Sequence, residues 1–365
     1  MNKLDQDYLA LGQDILDNGY IKGDRTGAGS KCLFKKQIRH KMSHGFPLLT
    51  TKKLHFRSIS AELIWFLSGS TNIRPLIDNH VNIWNSDAYK KYQKTHNNHP
   101  AIHSNRFDIL SEEEFVKRIQ NDNMFAAMNG DLGPIYGKQW RAWNRYEIQS
   151  YSANQTDLNV YRVKEIDQIA DAIQQLRTTP DSRRIIVKAW NPAEIQEMTL
   201  PPCHMGFQLD CRELEQKERM EWAQQHGIQL ERFYSGILKL DEDLDNNKVP
   251  KYEMSLGWEQ RSVDVPLGLP YNIASYGLLL LLLCKEVNMI PGEIIGDLGN
   301  THIYLNQVEG IKEQLKRKPY KLPTITILNP SGALTAGKVL SNYTTADFIL
   351  ADYQSHPHIK MPLNT

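Results

Sequence analysis

The chain has 365 residues, 41% hydrophobic and 23% charged, enough to bury a sizeable core in one large domain or two. Its formal net charge of +1 excludes a general electrostatic pull toward nucleic acid or an anionic membrane. Four cysteines, Cys32, Cys203, Cys211 and Cys284, show no Cys-x-x-Cys spacing, which argues against a zinc ribbon or a disulfide framework.

Residues 4 to 18 carry Leu4, Tyr8, Leu9, Leu11, Ile15 and Leu16 near helical spacing, and Gly19 stops them. The amino terminus lacks the apolar core of a signal peptide. A glycine-rich loop follows from Gly23 to Ser30. It lacks the Lys-Ser/Thr of a phosphate-binding loop, so it reads either as a surface turn or as a place where Arg25 meets an anion. Ser58 to Ser68 reads as a buried helix with one acid, Glu62, among Ile59, Leu63, Ile64, Trp65 and Phe66. Such an acid either reaches water at the helix edge or is kept for proton work in a cavity. The stretch from about Ala88 to Asp122 is polar and reads as a solvated loop. Its His96, His99 and His103 have no acid or cysteine at ligand spacing, so no metal is expected.

Further on, Gly130 to Trp143 is dense in aromatics and glycine, and Asp167 to Thr178 has the period of an amphipathic helix. The pair Arg183-Arg184 precedes a strand, Ile185 to Val187, and suits an anion or a surface ion pair. Arg212 to Ser255 is charged and much of it, Arg212 to Gln225, is helix-compatible. The acid run Asp241 to Asp245 lacks the glycine and terminal glutamate of a calcium loop and reads as a solvated excursion. Gln260 to Val265 resumes a strand, Leu267 to Asn272 reads as a turn, Ile273 to Val287 as a buried helix, and Thr301 to Tyr304 as a strand. The longest apolar run, Leu278 to Cys284, is too short to span a bilayer, so the expected setting is the cytoplasm, of a host cell if the chain is viral.

Thr199-Leu200-Pro201-Pro202-Cys203-His204 is the most informative stretch. Two prolines fix φ and remove two donors, making a rigid lead-in to a strand. Cys203 is then either a buried cysteine at a strand start or a thiolate nucleophile assisted by a nearby positive charge.

The segments DRTGAG, FPLLTTKKLHFRSI, GDLGPIYGKQWRAW, DSRRIIVKAWNP, LPPCH, QRSVDV, LGLPYNIASY and THIYLN, in this order, resemble the thymidylate synthase family from about residue 4 to 365. The resemblance implies an α+β fold: one domain over residues 1–365, a mixed twisted sheet packed with helices, polar insertions at about 88–125 and 212–255, and a homodimer formed through the sheet. It implies dUMP and 5,10-methylenetetrahydrofolate as substrates, with neither metal nor nucleic acid required. Carried over by position, Cys203 is the nucleophile on C6 of the base, Glu62 organises proton transfers, and Asn272 pairs with uracil. Arg25 and Arg261 hold the phosphate together with Arg183 and Arg184 of the second subunit, Ser262 makes a further nucleotide contact, and His302 and Tyr304 hold the ribose. Trp84, Asp264, Leu267, Gly268, Tyr271 and Thr365 belong to the folate site, Asp264 also to the catalytic set, and Lys52 and His55 to the folate-tail side.

Several positions depart from the family's pattern: the tail Leu363-Asn364-Thr365, Tyr271, Gly277, Asn300, Asp87 and Glu259. Read together they add polarity near the folate. On that reading the methylene intermediate takes water, giving 5-hydroxymethyl-dUMP and tetrahydrofolate, as in relatives from viruses with hydroxymethyluracil DNA. The alternative is a thymidylate synthase giving dTMP and dihydrofolate. An inactive nucleotide- or folate-binding relative is disfavoured, because Cys203, Glu62 and the four arginines are all retained.

Overall fold

The computed structural model describes residues 2–23, 27–97, 109–148, 161–230, 237–332 and 340–364. Arg25, His99, His103 and Thr365 therefore lie outside the described residues. In chain order the elements are α1 (Lys3–Asn18), β1 (Tyr20–Lys22), β2 (Ser30–Lys41), α2 (Phe56–Leu67), α3 (Arg74–Asp78), α4 (Asn85–Asn97), α5 (Glu112–Asn121), α6 (Asn123–Asn129), α7 (Tyr136–Arg141), β3 (Trp143–Ile148), β4 (Tyr161–Ile166) and α8 (Gln168–Thr178). They continue with β5 (Ile186–Lys188), β6 (His204–Glu213), α9 (Gln216–Gln225), α10 (Ile237–Asn246), β7 (Tyr252–Asp264), α11 (Gly268–Val287), β8 (Ile290–Tyr304), α12 (Val308–Leu315), β9 (Thr324–Ile327) and β10 (Phe348–Ala351).

The main sheet has the order β1-β2-β8-β7-β6-β5. Every neighbour is antiparallel except β7 and β8, which run parallel. A parallel pair needs a crossover, and α11 supplies it. The fold is thus α+β with a mixed sheet. Because β7 and β8 run the same way, their carboxyl ends lie side by side, with Ser262 opposite Asn300 and Asp264 opposite His302.

α11 starts at Gly268, earlier than the sequence pattern suggests. Leu267 to Asn272 is the helix's first turn rather than a separate loop, and Pro270 is tolerated there because first-turn N–H groups have no intrahelical partner. It is long and apolar enough to cross a membrane by length and composition. Its leucines are nonetheless buried, Leu278, Leu279, Leu280, Leu282 and Leu283 all at 0% exposure, each worth about 1.5–3 kcal/mol of burial. Pro47 approaches so closely that a Cβ on Gly277 would lie 2.4 Å from its Cγ. Gly296 likewise makes room for the Trp258 ring, which a Cβ would meet at 2.3 Å.

Two segments differ from the solvated excursions read from the sequence. The region near residues 88–125 forms α4, α5 and α6, whose Tyr92, Phe115, Ile119 and Phe125 are buried together, and His96 packs on the Tyr92 ring at 4.0 Å. Few apolar residues suffice because they fall on one face of each short helix. Between Glu213 and Tyr252, α9 and α10 pair around a separate small core of Ala223, Leu240, Leu244 and Val249. The acid run is not merely solvated: Asp245 accepts from the buried Arg219 at 2.6 Å. The β3–β4 ribbon, with Tyr146 opposite Val163, was not foreseen from the sequence pattern.

Candidate active site

Cys203 sits at the foot of β6, directly after the two prolines. Its backbone N–H donates to the Tyr136 hydroxyl at 2.7 Å. Arg261, at the carboxyl end of β7, grips the same turn: its Nε donates to the Pro202 carbonyl at 2.9 Å and its Nη2 to the Pro201 carbonyl at 2.8 Å. Its guanidinium also lies over the Trp190 ring at 5.3 Å. A proline pair exposes carbonyls with no N–H of its own, and a planar guanidinium matches two such acceptors at once.

Arg261 thus holds the turn that carries Cys203, and the neighbour of Cys203 in sequence supplies no positive charge. His204 is buried, and burial pulls its pKa down to about 3, so the imidazole is neutral. Its Nδ1 meets the Tyr276 hydroxyl at 2.8 Å.

α2 and α11 face each other across a cavity of about 10 Å³, about the space of one water-sized sphere. Glu62 from α2 and Asn272 and Tyr276 from α11 line it, with His204, Trp140 and Phe66. Trp84 donates its Nε1–H to Glu62 Oε1 at 2.8 Å. Burial pushes the Glu62 carboxyl up to about 7, against the smaller opposing pull of that hydrogen bond. Of the two readings of Glu62, the proton-handling one fits this placement.

Asn272 Oδ1 accepts from Gln260 Nε2 at 3.0 Å. Gln260, at 3% exposure, and Trp258, at 0%, were missed from the sequence as site residues. The available signal was Gln260 at an inward position of a strand, where a polar side chain needs a buried partner.

The ends of β7 and β8 carry Ser262, Asp264, His302 and Tyr304. The His302 and Tyr304 rings meet edge-on at 4.9 Å. Asp264 caps the turn into α11 by accepting from the Leu267 N–H at 3.0 Å, and accepts from Gln307 at 3.1 Å. Burial raises its pKa. Gln307, also missed, further donates to the Pro362 carbonyl at 3.0 Å and so ties the tail to Asp264. Lys52 is buried, donates to the Pro266 carbonyl, and burial lowers its pKa to about 8 against the pull of Asp264. His55, exposed, begins α2 beside His358. Arg183 and Arg184 are exposed ahead of the edge strand β5. Among the described residues no three His, Cys, Asp or Glu side chains converge as metal ligands.

Six of the departures from the family pattern, Asn300, Asn364, Glu259, Asp87, Tyr271 and Gly277, have local structural accounts. Asn300 Oδ1 meets His302 Nδ1 at 2.9 Å. Asn364 and Asn306 exchange amide hydrogen bonds at 2.8 and 3.2 Å. Glu259 pairs with Lys188 at 2.6 Å on the exposed sheet face, turned away from the inward Trp258 and Gln260. Asp87 lies in the first turn of α4, where a helix favours an acid. The Tyr271 hydroxyl meets the His55 backbone, and Gly277 answers the close approach of Pro47.

The sequence matches the profile of the thymidylate synthase family over residues 6–365. The chain belongs to the thymidylate synthase family. It is 40% identical over 355 residues to the thymidylate synthase of Mycoplasma mobile, a match covering 97% of this chain and 98% of that one. It is 39% identical over 347 residues to that of Aster yellows witches'-broom phytoplasma, covering 95% of each. With that of Listeria monocytogenes serotype 4a it shares 36% over 370 residues, covering 98% and 99%. The chain is thus a one-carbon transferase of this family, and the site just described lies within the matched region.

Proposed function

We propose that the protein is a thymidylate synthase that converts dUMP to dTMP through a covalent bond between Cys203 and C6 of the base. The observation that carries this reading is the convergence of Glu62 and Asn272 on one small cavity beside the Arg261-gripped Cys203 turn. Addition of a thiolate at C6 makes C5 nucleophilic and places negative charge toward O4, where the Asn272 amide donates. Glu62, with a pKa near the operating pH, accepts and returns protons through water. Arg25 and Arg261 bind the phosphate with Arg183 and Arg184 of the second copy in a homodimer, Ser262 makes a further contact to the nucleotide, and His302 and Tyr304 bind the ribose.

Bound 5,10-methylenetetrahydrofolate supplies the one-carbon unit and the hydride. The first turn of α11 carries Gly268 and the half-buried Tyr271, and the Asp264 carboxyl caps it. A carboxyl and an aromatic ring at that turn suit a flat polar ring. Trp84, Asp264, Leu267, Gly268 and Tyr271 would hold the folate, Thr365 would close over it, and Lys52 and His55 lie toward its tail. No metal, nucleic acid or membrane enters the reaction, and the setting is the cytoplasm.

Reduction is preferred over hydration as the fate of the transferred carbon. The hydration reading rested on added polarity near the folate. Asn300 and Asn364 engage protein partners instead, while Glu259 lies on the other face of the sheet. The relatives named thymidylate synthase point the same way. Product analysis tests the proposal: turnover should release dTMP with one dihydrofolate per turnover. Tetrahydrofolate, with a nucleotide heavier than dTMP by one oxygen from labelled water, would restore the hydroxymethylase. Cys203→Ser should abolish turnover while dUMP binding persists.

A further inference from the structure

An asparagine can recognise either pyrimidine. Held one way, its oxygen accepts from N3–H of uracil and its NH2 donates to O4; rotated by half a turn about its last bond, it accepts from the cytosine amino group and donates to bare N3. Presence of Asn272 therefore does not by itself select the base. Selection requires that the amide be held in one of two nearly isosteric orientations.

The residues behind Asn272 leave no freedom in that choice. The Trp258 indole can only donate, and its Nε1 lies 3.2 Å from one terminal atom of Gln260, which must then be the oxygen. The Ser262 carbonyl can only accept, and it lies 3.1 Å from the other terminal atom, which must be the nitrogen. That same nitrogen faces Asn272 at 3.0 Å, so the facing atom of Asn272 is its oxygen. Each step follows from donor and acceptor chemistry alone.

Trp258 is itself immobile. It is fully buried and stacks on Tyr276 at 5.1 Å and 10°, and its ring fills the space beside Gly296. Tyr276 is in turn tied to His204. We propose that Trp258 is a positioning residue for base selection: its indole N–H fixes the Gln260 amide, which fixes Asn272 in the orientation that accepts uracil and refuses cytosine. This rests on the reading of Asn272 as the base-pairing residue. Turning Asn272 to suit cytosine would set its NH2 against the Gln260 NH2, two donors with no acceptor between them.

Trp258→Phe keeps a ring beside Tyr276 and removes the donor. Replacing Trp258 with 3-benzothienylalanine substitutes sulfur for the N–H and retains both rings, which covers the case in which Phe leaves a destabilising void. The measurement is calorimetric binding of dUMP and of dCMP to the intact protein, with near-UV circular dichroism confirming the fold. The expected result is a dUMP preference in the unmodified protein that narrows by roughly tenfold or more in both variants, with dCMP binding gained as dUMP binding is lost. A merely structural role would weaken both nucleotides by one common factor, and that result, or an unchanged ratio, overturns the proposal. If the unmodified protein binds dUMP no better than dCMP, the reading of Asn272 fails and the relay fails with it. A clear dUMP preference that the variants leave intact removes the relay alone.

Discussion

Glu62→Gln isolates the energetic consequence of placing a carboxyl at the cavity. The folded protein holds the Glu62 proton with a pKa of about 7, against an ordinary 4.5. At about 1.36 kcal/mol for each pKa unit, the difference amounts to roughly 3.4 kcal/mol. The direction follows from proton counting. Between pH 4.5 and 7 the folded state retains a proton that the unfolded state has lost, so stability falls as pH rises through this window. Water reaching the carboxyl from the cavity makes the figure an upper bound. Glutamine keeps an oxygen for Trp84 Nε1 and cannot ionise. Urea denaturation at fixed protein concentration should show the wild type losing about 2–3 kcal/mol more than the variant between pH 5 and pH 8. Turnover of the variant should fall by roughly a hundredfold or more. Parallel stability-pH curves for the two proteins would refute the claim that burial raises the Glu62 pKa.

Gly277→Ala forces a methyl onto Pro47 and should cost about 1–3 kcal/mol of stability, read as a lower urea midpoint with an unchanged m-value. Asp5→Ala should cost about 3–5 kcal/mol, because the buried carboxylate accepts from the backbone N–H and hydroxyl of both Thr50 and Thr51; retention of full thermal stability would show those donors find other partners. Arg219→Ala should loosen α9 and α10 first, since its guanidinium also donates to the Val249 and Pro250 carbonyls. Hydrogen exchange should accelerate in that pair while α11 stays protected.

Much of the site was legible without coordinates because its chemistry is carried by contiguous motifs. The rigid Pro-Pro-Cys turn, the lone acid in an apolar helix and the strand ending Thr-His-Ile-Tyr each announce themselves by local residue pattern, and α1, α2 and α8 follow from the 3.6-residue period. The short helices α4 to α6 and the packing of α10 on α9 were not legible in the same way, although the helix-compatible run Arg212 to Gln225 does contain α9. Their apolar residues are too few to stand out from polar surroundings until folding brings them together.

Tertiary structure alone decided the partners of each polar group. Sequence places Cys203 beside His204, yet the histidine is neutral and turned to Tyr276, and the turn that carries Cys203 is gripped by Arg261, distant in sequence. Sequence shows asparagines where relatives differ, but only the fold pairs Asn300 with His302 and Asn364 with Asn306. The physical reason is that residue type states which hydrogen bonds a group can make, whereas strand register and helix packing determine which groups come within reach of them.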